Sequence, residues 1–196
     1  MPGTGAREQA EAVAETCDRR QRAALALLVA RASSIDAVEG VVLIGSLAAG
    51  TADELGDVDA LVVARPGRFD EAWSRRHELS AGALVAWDVT WDPDPKPDCA
   101  GHNWLTRELV KVDCSLVDPD AGGKELAEPF AVIAGPASLA DRFPRVSAEA
   151  LLERRRALED AQSREVPDPD AMAPGELLDW KLSELKQAVR RAQNAS

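Results

Sequence analysis

The alternation of apolar and polar positions predicts helices at both ends of the chain and strands in its middle. Residues 6–31 are rich in the helix formers Ala, Glu, Gln, Arg and Leu, and part of their apolar set recurs at helical spacing. This segment predicts one long helix, which the region 33–36 interrupts. The same reasoning predicts further helices over 68–80, 148–163 and 175–192.

Four segments have the pattern of β-strands. Residues 41–44 are aliphatic and bounded by glycines, which is typical of a buried strand. Over 83–91 and 108–117, apolar residues alternate with polar or smaller ones, so each of these strands has one apolar face. Residues 57–63 form the fourth predicted strand, which Pro66 and Gly67 end.

This order of elements predicts an α/β fold of the α+β kind. We expect a twisted mixed β-sheet of four to five strands, helices packed mainly on one face, and C-terminal helices beside a cleft. The prolines that follow residue 119 separate the sheet from the last helices. We therefore predict one domain over 1–145, which includes the N-terminal helix, and a C-terminal helical segment over 146–196.

Composition narrows the classes of partner. The 196 residues are 45% hydrophobic and 29% charged, which is the balance of a globular protein. The formal net charge of −11 opposes binding to nucleic acid, whose phosphates favour Lys and Arg. Three scattered cysteines argue against a disulfide scaffold and favour a cytoplasmic location. No apolar run approaches the roughly 20 residues that cross a bilayer, so we expect no membrane partner.

The chemistry is concentrated between residues 45 and 59. Gly45 and Ser46 follow a predicted strand, where a glycine lets the backbone approach a ligand and a turn of N–H groups favours phosphate. Asp57 and Asp59 are two residues apart at the start of the next strand, so they share a face. Paired carboxylates of this kind suit Mg²⁺ together with substrate phosphates. Asp113, which points away from the apolar face of its own strand, qualifies as a third carboxylate.

These residues carry a resemblance. Gly45-Ser46, then Gly50, then Asp57-Val58-Asp59, with Asp113 on a later strand, resemble the nucleotidyltransferase superfamily of the DNA polymerase β type. The likeness covers residues 38–118 and is closest to small bacterial members, among them aminoglycoside, lincosamide and antitoxin-type enzymes. Two features depart from the pattern. Gly56 stands where many relatives have serine, and the C-terminal part is shorter than in the drug-modifying relatives.

The resemblance implies a fold and a set of roles. Residues 1–145 would form the nucleotidyltransferase domain, and Gly45 and Ser46 would hold the triphosphate. Asp57 and Asp59 would bind the metals, and Asp113 would be a metal ligand, the base for the acceptor hydroxyl, or both. The implied cofactors are two Mg²⁺ ions, and the implied donor substrate is a nucleoside triphosphate, with ATP favoured.

The implied reaction is metal-dependent transfer of a nucleoside monophosphate, AMP if the donor is ATP, to a hydroxyl, with release of pyrophosphate. The acceptor is a small molecule or a protein, and the small molecule is favoured. The alternative is a catalytically degenerate nucleotide-binding or regulatory module on the same fold. An apolar stripe over 177–189 leaves a homodimer open.

Several other residues have two readings. Asp88 is the alternative to Asp113 as the third metal carboxylate. His102 is expected in a loop. The tryptophans of the middle segment are expected to pack in the core rather than to stack on a base; they are Trp87, Trp91 and Trp104. Acids in the proline-rich loop either face solvent or attract a cationic acceptor; they are Asp92, Asp94 and Asp98. Basic residues of the last helices either face solvent or reach the triphosphate; they are Arg154, Arg155, Arg156 and Lys181.

Overall fold

The computed structural model describes residues 17–89, 98–162 and 172–194, and its first helix, α1, is Arg19–Ser34. Asp18 caps this helix, because its carboxylate accepts hydrogen bonds from the backbone N–H groups of Arg20 and Gln21. The side chain of Gln21 accepts in return from the backbone N–H of Asp18. This reciprocal cap sets the start of the helix. The prediction of one helix over 6–31 is therefore wrong at its start, and residues 6–16 lie outside the described residues.

Six strands form one mixed sheet in the order β3-β4-β5-β2-β1-β6. Strand β2 runs parallel to β5, and the other neighbours are antiparallel. The strands are β1 (Val38–Leu43), β2 (Val58–Ala64), β3 (Val85–Val89), β4 (Cys99–Leu105), β5 (Lys111–Val117) and β6 (Ala131–Ala134). The mixed α/β class is confirmed. The count of four to five strands is too low, because β4 and β6 lack the patterns that the other strands show.

Three short α-helices lie between the strands in the described part of the chain. Helix α2 is Gly45–Ala48 and joins β1 to β2. Helices α3 (Phe69–Ser74) and α4 (Arg76–Leu79) lie between β2 and β3. The helix predicted over 68–80 is thus two helices, because the backbone leaves helical geometry at Arg75, with φ −99° and ψ 6°.

The two faces of the sheet carry separate apolar clusters. Val58 and Ala60 point to the face that α1 covers, where they pack in one cluster with Leu28. Leu61 and Val63 point to the other face, where side chains from the segment after β5 pack on them, among them Val132, Leu139 and Phe143. Because both faces of β2 are covered along Leu61–Val63, the strand is a nearly continuous apolar run there.

The chain divides into two compact units, residues 1–151 and 152–196. Two long helices lie towards the C-terminus, α5 (Ala148–Gln162) and α6 (Pro174–Asn194), and both are close to their predicted spans. The predicted division after residue 145 stays a prediction. Within the described ranges, no helix is both long and apolar enough to cross a bilayer.

Candidate active site

The parallel pairing of β2 with β5 places two acids side by side. Asp59 is the register partner of Asp113. Neighbouring strands are about 4.8 Å apart, and register partners in a parallel pair point to the same face. Asp57 directly precedes β2 and lies two residues before Asp59. All three acids are half-buried, and they lie where the apolar cluster around Leu61 ends.

Gly45 brings the turn after β1 against the carboxylate of Asp59. A Cβ atom built on Gly45 would lie 2.5 Å from Oδ2 of Asp59, closer than a side chain can approach. The φ of Gly45 is +70°, which also favours glycine. The backbone N–H of Ile44 donates to the backbone oxygen of Asp59 at 3.0 Å. The glycine is therefore required both by the turn and by the closeness of the acid.

Ser46 follows in α2, a single helical turn. The backbone oxygen of Ser46 accepts from the N–H of Thr51 at 2.9 Å, and that of Gly45 accepts from Ala49 at 3.1 Å. These bonds hold the turn in place next to the start of β2. The structure thus brings four of the five predicted site residues to one edge of the sheet: Gly45, Asp57, Asp59 and Asp113. Ser46, which is half-buried, follows Gly45 directly.

Lys111 is a further residue of this edge that the sequence reasoning did not single out. Its Nζ lies 2.9 Å from Oδ1 and 3.0 Å from Oδ2 of Asp113, and only the contact to Oδ2 has the angle of a hydrogen bond. Its side chain is 12% exposed. The signal in the sequence was its place two residues before Asp113, which puts both side chains on one face of the strand.

The acids fit a magnesium ion that is bound together with a triphosphate. In residues 17–89, 98–162 and 172–194, no group of three or more His, Cys, Asp or Glu side chains is gathered closely enough to hold a metal ion. Mg²⁺ does not need such a cage, because it takes one or two carboxylates and completes its shell with water and substrate phosphates. The half-buried oxygens of Asp57, Asp59 and Asp113 supply hard donors of that kind.

Asp88 lies on the opposite face of the sheet and is not the third metal carboxylate. Asp88 is the register partner of His102 in β4. The pairing of β4 with β5, and of β5 with β2, places His102 on the face opposite Asp59 and Asp113. Both oxygens of Asp88 accept from Arg76 at 2.8 Å, and Oδ1 also lies 2.8 Å from Nδ1 of His102. The hydrogen bonds from Arg76 lower the pKa of Asp88 to about 2. The rival assignment of Asp88 is therefore wrong.

His102 belongs to a strand, not to the loop where it was expected. Its ring is fully buried, and Nε2 lies 2.8 Å from Oγ of Ser80. Burial lowers the pKa of His102, against the opposing effect of Asp88. Ser80, His102 and Asp88 are connected in the order of a hydrolase triad. Ser80 is only 6% exposed, however, so we interpret this hydrogen-bonded network as a structural link between α4 and the strands β3 and β4.

The remaining candidate residues fall partly inside and partly outside the described ranges. Trp104 is buried at 3% exposure and packs in the core, as expected. Trp87 is half-buried on the face of the acids, in register with Asn103. Asp98 is exposed. Lys181 contacts Glu184 and lies over the ring of Trp180 within α6. Expectations for Trp91, Asp92 and Asp94 fall outside the described residues.

Comparison with known proteins gives a family-model match over just under half of the chain and a set of weak structural likenesses. Residues 25–118 match the model of the nucleotidyltransferase domain, and this span contains all five predicted site residues. No curated protein matches the chain. A structure of Cid1 with its short product ApU is 18% identical, over 58% of this chain and 36% of that one, with a TM-score of 0.39.

A second Cid1 structure, described for its RNA terminal uridylyl transferase activity, is 19% identical, with a TM-score of 0.41. The likeness covers 56% of this chain and 35% of that one. A third, with MgGTP bound, is 18% identical over 60% of this chain and 38% of that one, with a TM-score of 0.40. The chain therefore spans little more than a third of the solved structures that it matches.

Proposed function

We propose, from the match of residues 25–118 to the nucleotidyltransferase domain model, that this protein transfers a nucleoside monophosphate to a hydroxyl group. The donor is a nucleoside triphosphate, for which we propose ATP, and the leaving group is pyrophosphate. Mg²⁺ is the proposed cofactor. A small molecule is the proposed acceptor, since a net charge of −11 disfavours a polyanionic one.

One observation carries this proposal. Asp59 and Asp113 are register partners on one face of a parallel strand pair, and the backbone of Gly45 lies directly against the Asp59 carboxylate. A backbone turn that can approach phosphate is thereby placed next to acids that can bind a divalent cation. Neither feature alone distinguishes this function from an ordinary strand end, whereas their contact is what nucleotide transfer requires.

The proposed reaction is an in-line displacement. The acceptor oxygen forms a bond to the α-phosphorus, and the bond from that phosphorus to the bridging oxygen of pyrophosphate breaks, with its electron pair leaving on pyrophosphate. The proton of the acceptor hydroxyl passes to a carboxylate, for which we propose Asp113. When bound, magnesium neutralises phosphate charge and polarises the phosphoryl oxygens.

The other residues contribute position. Gly45 and Ser46 are proposed to receive the triphosphate, with backbone N–H groups and the serine hydroxyl as donors. Asp57 and Asp59 are proposed to hold the magnesium that accompanies the triphosphate, and Asp113 is proposed to bind metal as well as to accept the proton. Since β2 and β5 are central strands with both neighbours paired, these acids stand on a rigid support.

The proposal is tested by transfer of label from α-³²P-ATP to panels of acceptors: hydroxyl-bearing small molecules, proteins and single-stranded RNA. We expect Mg²⁺-dependent labelling of a small molecule, at least 10²-fold reduced in Asp59→Asn, because the substitution removes a metal-binding charge. Asp141→Asn removes an equal charge at a side chain that is 79% exposed, and it should label as wild type does.

Two results would redirect the proposal. Labelling of RNA or protein would keep the reaction and replace the acceptor. Nucleotide binding by a well-folded protein, without labelling in any panel, would favour the non-catalytic nucleotide-binding module instead.

A further inference from the structure

A nearly buried lysine stands among the acids of the proposed site. Lys111 is 12% exposed, while its Nζ contacts both carboxylate oxygens of Asp113 at 2.9 and 3.0 Å. A lysine side chain ordinarily keeps its charged end in water, and the side chain of Lys181, for comparison, is 55% exposed. The nearly buried position of Lys111 therefore indicates that groups of the site hold its charged end.

Strand register places Lys111 near the start of β2 as well. Val58 is the partner of Val112, so Lys111 lies one residue before this register pair, and it points to the same face as Asp113, two residues later in β5. The ammonium group thus lies on the face that carries Asp59 and Asp113. Neighbouring carboxylates repel one another unless a cation lies near them, and in this structure Lys111 supplies a positive charge.

We propose that Lys111 is a positioning residue of the proposed site: its ammonium holds the Asp113 carboxylate in place before a divalent cation binds, and it competes with that cation for the oxygens of Asp113. This inference rests on the proposed function. It goes further by assigning to the chain a resident cation that the incoming metal and triphosphate must displace from Asp113.

The residue type agrees with that role. The ammonium of lysine is a compact point charge on a flexible stem, and it makes no fixed planar fork with a carboxylate. Arginine at this position would grip Asp113 through two parallel hydrogen bonds, which are stronger and harder to displace. A lysine stabilises the Asp113 carboxylate while leaving its oxygens available to an incoming metal ion.

Replacements of Lys111 should therefore shift metal affinity in opposite directions. We would titrate the 196-residue chain with Mn²⁺ in the absence of nucleotide and measure free Mn²⁺ by electron paramagnetic resonance. Lys111→Gln removes the competitor and should tighten Mn²⁺ binding on the order of fivefold. Lys111→Arg strengthens the competitor and should weaken Mn²⁺ binding by a similar factor.

A charge-matched control separates local competition from the general field of the protein. Arg75→Gln also removes one positive charge, from an exposed pair with Glu78 in α4, and should leave Mn²⁺ affinity within twofold of wild type. Thermal unfolding of each variant checks that it is folded. If Lys111→Gln does not fold, Lys111→Arg alone carries the test, because a purely structural lysine predicts no loss of Mn²⁺ affinity on keeping the charge.

Asp113→Asn distinguishes failure of this inference from failure of the proposed function. Wild type that binds Mn²⁺ at least tenfold more tightly than Asp113→Asn confirms the site. With that result, equal affinities of wild type, Lys111→Gln and Lys111→Arg would overturn the role of Lys111 alone. No Mn²⁺ binding by wild type, or unchanged binding in Asp113→Asn, would overturn the role of Lys111, whereas the proposed function, which needs metal together with nucleotide, is tested by the labelling of a hydroxyl acceptor.

Discussion

At the scale of single residues, Gly45 brings the backbone turn after β1 against the carboxylate of Asp59. Its φ of +70° and its closeness to Asp59 are two independent reasons for glycine. Gly67 has the same φ of +70°, but a Cβ atom there would meet nothing within 4 Å. The two glycines therefore allow backbone strain and steric contact with the acid to be measured separately.

We expect Gly67→Ala to cost about 1 kcal/mol, the strain of placing a side chain in the left-handed region. Gly45→Ala should cost clearly more, because Asp59 must also move, and it should weaken nucleotide binding. Chemical denaturation of both variants measures the two costs. Equal costs, with nucleotide binding retained in Gly45→Ala, would show that the contact with Asp59 is unimportant.

At the scale of secondary-structure elements, buried polar contacts hold the strands and helices in register. Arg142 is the clearest case outside the site. Its guanidinium binds Asp118 at 2.9 Å, Asp120 at 2.8 Å and the backbone oxygen of Ala64 at 3.2 Å, and it also pairs with Glu39. Burial lowers the pKa of Arg142, but the surrounding carboxylates more than compensate and raise it.

Arg142→Met should destabilise the fold by about 2–4 kcal/mol, because Asp118, which is 4% exposed, would keep a buried charge without this partner. Arg145→Met is the control, since the contacts of Arg145 with Glu128 and Asp141 are 3.7 and 3.8 Å long and exposed. We expect it to cost less than about 1 kcal/mol. Equal costs in urea denaturation would contradict the role of Arg142.

The hydrogen-bonded network of Ser80, His102 and Asp88 predicts how stability depends on pH. Because burial lowers the pKa of His102, the unfolded chain binds more protons than the folded chain just below the ordinary value of about 6.5. Stability should therefore fall as pH drops through that value. A second loss should follow between about pH 4 and 2, where Asp88 titrates in the unfolded and then in the folded state.

His102→Gln should remove the first loss and leave the second. Urea denaturation at pH values from 7.5 to 5 measures the first loss in wild type and variant. Parallel pH profiles for the two proteins would show that His102 is not the titrating group. His77, whose ring meets that of His102 at 5.1 Å, is exposed, and His77→Gln serves as the control.

Elements with a regular pattern were predictable, and those held by distant polar partners were not. Strand β5 alternates apolar and polar residues, so its acid-bearing face could be predicted. Strand β4 contains His102 and Asn103 at buried positions, which no local pattern marks. Their partners come from other strands: Asp88 binds His102, and the backbone N–H of Cys114 donates to Asn103 at 3.2 Å.

The site was predictable to the same extent. The spacing of Asp57, Asp59 and Asp113 predicts a common face, and the register of β2 with β5 makes Asp59 and Asp113 partners, while Asp57 directly precedes β2. The pairing of Asp59 with Asp113 depends on the register between β2 and β5, which the sequence does not contain. The start of α1 at Arg19 depends on the cap at Asp18, which lies inside an otherwise helical composition.

At the scale of the whole molecule, residues 25–118 match the nucleotidyltransferase domain, and the proposed activity needs a nucleotide and a divalent metal to bind there together. This joint requirement is the central claim, because a solvated strand end would bind neither. It can be tested without knowledge of the acceptor, since binding to the folded state alone raises the temperature of unfolding.

The most direct measurement is thermal unfolding of wild type and Asp57→Asn, with and without Mg²⁺ and a non-hydrolysable ATP analogue. Ligand at 100 times its Kd stabilises by about 2.7 kcal/mol, which for a chain of this size is a rise of roughly 5–11 °C. We predict that rise in wild type only when metal and nucleotide are both present, and its loss in Asp57→Asn. A rise that is independent of metal, or is retained in Asp57→Asn, would contradict the proposed site, as would no rise with any nucleoside triphosphate.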